Sequence, residues 1–251
     1  MYTGHIDFPS KEEKEKSIRE IVSHGVCRPQ RLGSALWELW RSVGLYGFCF
    51  GVWDCMLLAL LLDGVLWAFV YTAARQSPQM TGILFFGASP ILYAMLHLLT
   101  VWKETAAGMY QSLMVCRLSL RQMSVLRLFI FGSASVLLMG VVNVGFAVHF
   151  QSGIDVVFRM IGLSVSALFC YALMQLVLEW KWKSRLSFAA APVLWCGISI
   201  LLLSSGEYGQ KMMGRIPTVS FFVCGALFAW LHVRTLRKYY FELQEAAVWM
   251  M

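Results

Sequence analysis

FCFGVWDCMLLALLLDGVLWAFVY, residues 48–71, carries no charged side chain other than Asp54 and Asp63. A bilayer core of about 30 Å requires about 20 helical residues, so this stretch alone is long enough to cross a membrane. Working outward, five more segments read the same way: residues 80–102, 127–150, 157–180, 186–204 and 216–233. The chain is 251 residues long and 59% apolar. Six spans and their connections use up nearly all of it, leaving no room for a separate folded soluble domain. The sequence therefore predicts an all-α polytopic membrane protein.

Lys and Arg divide unequally between the gaps. Lys11, Lys14, Lys16, Arg19, Arg28, Arg31 and Arg41 precede the first span. Lys103, Arg117, Arg121 and Arg127 belong to the second gap and its border, Lys181, Lys183 and Arg185 to the fourth, and Arg234, Arg237 and Lys238 follow the last. Together these are 17 of the 21 basic residues; Arg75, Arg159, Lys211 and Arg215 lie on the other side. Cytoplasmic loops hold the basic excess, so the expectation is a cell-membrane protein with both termini cytoplasmic. The net charge of +7 sits beside membrane ends, where it sets topology and attracts anionic lipid. Nucleic acid is not the expected partner.

The residues divide into a cytoplasmic segment (1–28), an amphipathic interfacial helix (29–44), a six-helix transmembrane region (45–235) and a cytoplasmic tail (236–251). Residues 1–25 lack the apolar core and cleavage site of a signal peptide, and the alternating acids and bases of Lys11–Glu20 suit a solvated helix. In the interfacial stretch, Leu32, Leu36, Leu39, Trp40 and Val43 recur at helical spacing, opposite Arg31, Ser34, Glu38 and Arg41. Pro29 is placed to open that helix and Trp37 and Trp40 suit headgroup depth; a cytoplasmic extension of the first span is the other reading. The seven cysteines contain no CxxC pair, and packing explains them better than disulfides or zinc.

Four polar residues inside the spans are candidates to line a translocation path. Asp54 and Asp63 are ionisable groups within the first span, where such groups are costly. Nine residues apart, they fall on opposite helix faces at 100° per residue and form no dyad. Asp54 is near the inner boundary, within reach of an interfacial Arg; Asp63 is deeper and is either a packing residue or part of a path. Asn143 and Gln175 are expected to hydrogen-bond between helices. Glu179 follows Gln175 by one turn and is spaced for an ion pair with Lys183. His97, His149 and His232 show no metal-ligand spacing, and no cofactor is implied. The proline echo between Ser89-Pro90 and Ala191-Pro192 is read as a kink signal in each half. Catalytic signatures and a Walker loop are absent from the sequence, so neither enzymatic activity nor nucleotide hydrolysis by this chain is expected.

The second gap, Lys103 to Leu126, is the longest interior connection. Its half-apolar middle is either a contact surface or an extension of the flanking spans. With the interfacial helix Arg31–Gly44 and six spans, it resembles the membrane subunit of a bacterial ABC transporter, the ABC-2 type exporter permease. The local string Gly108-Met109-Tyr110, Arg117-Leu118-Ser119-Leu120-Arg121-Gln122 and Arg127 is also similar to small membrane proteins of Gram-positive bacteria related to those permeases. Those proteins tend to be acidic where this chain has Gln111 and Leu113. The resemblance implies an elbow helix at the interfacial segment and a coupling helix at Glu104–Arg121 that docks on a separate ATPase subunit. Met109, Leu113 and Leu120 would be its apolar anchors, with Arg117 and Arg121 engaging acidic groups. It further implies a homodimer or paired permease that exports an amphipathic or peptide-like molecule. Many such permeases carry re-entrant helices before the sixth span, and the short gap Ser205–Arg215 leaves no room for a full hairpin. The expectation from another class is a non-transporting membrane sensor or scaffold, which the scarcity of polar residues in most spans favours.

Overall fold

The computed structural model describes residues 53–77, 80–106, 120–150, 153–181 and 187–248, together with 12–15, 17 and 33–34. The expected interfacial helix, apart from Gly33 and Ser34, and most of the second gap lie outside the described residues. Eight helices follow one another: α1 (Trp53–Gln76), α2 (Thr81–Ala88), α3 (Ile91–Ala106), α4 (Leu120–His149), α5 (Ile154–Lys181), α6 (Ser187–Ser204), α7 (Gly206–Arg215) and α8 (Thr218–Val248). No strand occurs among the described residues.

Five spans are long and apolar enough to cross a membrane: Trp53–Gln76, Thr81–Lys103, Arg127–His149, Ile154–Lys181 and Thr218–Tyr239. The number becomes six if α6 and the bent α7 count as one crossing. The outer faces of these helices explain why the molecule belongs in lipid. Phe69 on α1, Leu137, Val141 and Val148 on α4, Leu201 on α6 and Val223 on α8 are 61–74% exposed. A belt of large apolar side chains on every side is unfavourable in water and neutral in hydrocarbon.

α2 and α3 form one crossing broken at Ser89-Pro90. Proline removes the N–H that would continue the helical ladder and crowds the preceding turn. At the break the Ser89 hydroxyl donates to the Phe85 carbonyl at 2.5 Å, and Trp195 Nε1 of α6 donates to the Gly87 carbonyl at 3.1 Å. Neighbouring side chains thus cover backbone groups that lipid cannot solvate. Pro192 behaves differently, because α6 continues through it. The two prolines therefore do not mark equivalent breaks.

α5 lies at the centre, packed against α8 most extensively and against α4, α6 and α2. Hydrocarbon gives apolar surfaces no reason to leave it, so close backbone approach must supply the attraction. Gly162 of α5 permits that approach. A Cβ there would lie 3.0 Å from the Phe222 ring and 3.3 Å from Phe221 Cβ on α8. The core beside it is aromatic: Tyr93 and Tyr171 have ring centroids 5.9 Å apart, Tyr171 and Trp195 5.8 Å, and Phe86 and Trp195 5.0 Å.

One end of the bundle, called here the basic end, carries Lys103, Arg127, Lys181, Arg234 and Lys238. There Lys238 stacks over Trp180 at 5.1 Å and Arg234 over Trp230 at 5.2 Å, as interfacial aromatics and cations do at a membrane boundary. At the far end, Arg75 lies 5.3 Å from the Tyr71 centroid and 3.2 Å from Nε2 of His149. Also at that end, α6 turns through 102° into α7. Gly206 occupies the turn with φ of +55°, a conformation that costs other residues about 1–2 kcal/mol.

Candidate functional site

The most developed polar arrangement lies between α3 and α5, toward the basic end. These two helices approach each other only sparsely through their backbones, so long side chains fill the space between them. Tyr93 and His97 are one turn apart on α3, and Tyr171, Gln175 and Glu179 occupy successive turns of α5. All five side chains are buried or nearly so. Tyr171 OH donates to Gln175 Oε1 at 3.2 Å, and Gln175 Nε2 donates to Glu179 Oε1 at 2.5 Å. The same Glu179 oxygen lies 2.5 Å from His97 Nε2. A carboxylate accepts several donors at once, so Glu179 joins the α5 stripe to α3 at a single atom. The Tyr93 hydroxyl, next to this stripe, has no hydrogen-bond partner among the described residues.

This connection was not legible as a pair in the sequence. Spacing gives Gln175–Glu179 correctly, since both fall on one helix face. It offers Lys183 as the ionic partner of Glu179, because only neighbours along the chain are visible there. Lys183 lies outside the described residues; the partner the structure provides is His97. A stripe at 171, 175 and 179 and a second at 93 and 97 are the signals that point to an internal polar seam. Neither stripe says which other helix it faces.

The remaining path candidates take separate positions. Asp54 is on the exposed side of α1, where its Oδ2 accepts from Lys103 Nζ at 3.1 Å; the partner is a lysine of α3 and not the expected arginine. Asp63 is on the opposite face and buried at 2% exposure, as the nine-residue spacing requires. Its Oδ1 and the Nε1 of Trp67, one turn on, meet no partner at hydrogen-bonding geometry among the described residues. Asn143 is buried on α4, but its Nδ2 donates to the Met139 carbonyl of its own helix at 2.8 Å. Among the described residues it makes no bond to another helix, because the amide turns back one turn, a local solution open to short polar side chains. Gln175 also bonds within its own helix, to Glu179. Among the described residues, no hydrogen bond links Asp54, Asp63 and Asn143 to one another.

Of the candidate ATPase contacts, Met109, Leu113 and Arg117 lie outside the described residues. Leu120 and Arg121 begin α4, seven residues or fewer before the membrane-spanning part at Arg127. α4 has 30 residues and α8 has 31, so each reaches about 45 Å at 1.5 Å per residue. Both exceed a hydrocarbon core of about 30 Å, and both project their excess at the basic end.

Comparison with protein-family models, with curated proteins and with solved structures finds no match to this chain.

Proposed function

We propose that this chain is the membrane-spanning subunit of an ABC-type exporter, non-enzymatic itself, energised by a separate ATPase subunit and working as a homodimer or with a second permease. The observation that carries this reading is the α6–α7 bend at the far end. The resemblance calls for an extra folded element between the fifth and sixth spans. The gap appeared too short for a full hairpin, yet it holds one ten-residue helix turned by 102°. The projecting ends of α4 and α8 support the reading from the other side, since an ATPase would need a helical platform at the basic end. The second gap would supply the contact through Met109, Leu113, Leu120, Arg117 and Arg121.

Affinity purification from membranes solubilised in mild detergent tests this directly. The tagged chain is expected to retain an ATP-binding subunit, and Leu113→Ala with Arg117→Ala is expected to reduce that recovery about tenfold without loss of membrane insertion. Recovery of the properly inserted wild-type chain alone would sink the proposal. A non-transporting scaffold is the second reading. It is favoured by Asp63 and Asn143, which share no hydrogen bond among the described residues, Asn143 bonding back to its own helix. The same purification would then recover a signalling protein and no ATPase.

A further inference from the structure

We propose that the cavity among α2, α5 and α7 at the far end holds one acyl chain of an anionic phospholipid from the surrounding bilayer, with the lipid phosphate on Arg159. The cavity measures about 230 Å³ and is lined chiefly by Ile83, Val156, Met160, Leu163 and Met213, with Arg159 among them. An apolar cavity of about 150 Å³ is enough to hold benzene, so this one has room for a segment of alkyl chain.

Arg159 supplies the head-group chemistry. It is half-buried, and its Nη2 donates to the Met213 carbonyl near the end of α7. Asp155, one turn earlier on α5, makes no ion pair with it, and no other carboxylate does so among the described residues. A guanidinium at membrane depth without an acidic partner is costly, and its remaining donors match a phosphate in a planar, two-pronged arrangement. Depth fits the same ligand. Arg159 lies five residues into α5, about 8 Å along the helix, within the band about 5–10 Å deep where head groups meet acyl chains.

The surface around the cavity mixes apolar and charged side chains. Ile154 and Tyr208 are each 74% exposed and Met212 is 60% exposed, and Lys211, Arg215 and Asp155 are exposed beside them, the mixture that meets acyl chains and head groups at a bilayer boundary. The site does not depend on whether the chain works with an ATPase.

Two glycines make the proposal testable without disturbing the packing. A Cβ at Gly82 or at Gly214, both on the cavity wall, would meet nothing within 4 Å. The protein would be reconstituted in nanodiscs with equal amounts of phosphatidylcholine and phosphatidylglycerol, released, and weighed by native mass spectrometry. Wild type is expected to retain one phosphatidylglycerol, preferred over phosphatidylcholine about tenfold. Gly82→Leu is expected to fill the chain site and abolish retention, and Arg159→Gln to abolish the preference. If Gly82→Leu does not accumulate, Gly214→Leu fills the same space from α7. Addition of inorganic phosphate is expected to leave the lipid in place. Unchanged retention in the leucine variants, unchanged preference in Arg159→Gln, or displacement by inorganic phosphate would each overturn the assignment.

Discussion

At Glu179 one carboxylate oxygen lies 2.5 Å from both the His97 imidazole and the Gln175 amide. Truncating that side chain leaves the buried Gln175 amide without its acceptor and removes the ion-pair contact to His97, a loss of about 1–3 kcal/mol. Glu179→Ala is therefore expected to lower stability in detergent by about that amount. Adding His97→Ala should cost less than the sum of the single changes, because both remove the same contact; strictly additive denaturant melts would show that the two do not interact. Asp63 leads to a different expectation. Asp63→Asn keeps size and hydrogen-bonding capacity, so the protein should accumulate normally, whereas transport should fall if the carboxylate lines a path. Equal transport by both proteins across a pH series would remove Asp63 from the mechanism. Sequence spacing placed Asp54 and Asp63 on opposite faces of the first helix, which the exposure of the one and the burial of the other bear out. It missed His97 as a partner because the contact joins two non-consecutive helices, and no periodicity within a helix encodes such a contact.

The six expected apolar segments correspond in position to the helices, because a long apolar run has few alternatives in a bilayer. Their internal geometry was less legible. Ser89-Pro90 breaks its span whereas α6 runs through Pro192, and beside the break Trp195 of α6 covers the Gly87 carbonyl. The second surprise is α7, whose residues Gly206–Arg215 looked like a short connection and fold as a helix. Its entry depends on the backbone at Gly206, with φ of +55°. Gly206→Ala should destabilise the protein by about 1–2 kcal/mol. Gly214→Ala, where a methyl meets open space, should leave thermal melting unchanged or slightly improved, because Ala favours a helix by about 1 kcal/mol over Gly. Indistinguishable melting of the two variants would mean that the turn before α7 is not held in the conformation described here.

The whole bundle is organised by two unlike ends. The basic end carries the cation–aromatic stacks at Trp180 and Trp230 and the projecting parts of α4 and α8, and the far end carries the α6–α7 bend and the Arg159 cavity. The proposed function requires the basic end to face the cytoplasm, where an ATPase would be, and requires α6 to cross the membrane with α7 as the added element at its far end. The number of crossings decides between these arrangements, since an even number returns both termini to one side and an odd number separates them. Reporter fusions at the N-terminus and after Gln76, Lys103, Ser152, Lys183, Gln210 and Lys238 measure it directly. The account predicts cytoplasmic signals at the N-terminus and after Lys103, Lys183 and Lys238, with external signals after Gln76, Ser152 and Gln210, in keeping with the split of basic residues. Termini reporting opposite sides, or a cytoplasmic signal after Gln210, would contradict it.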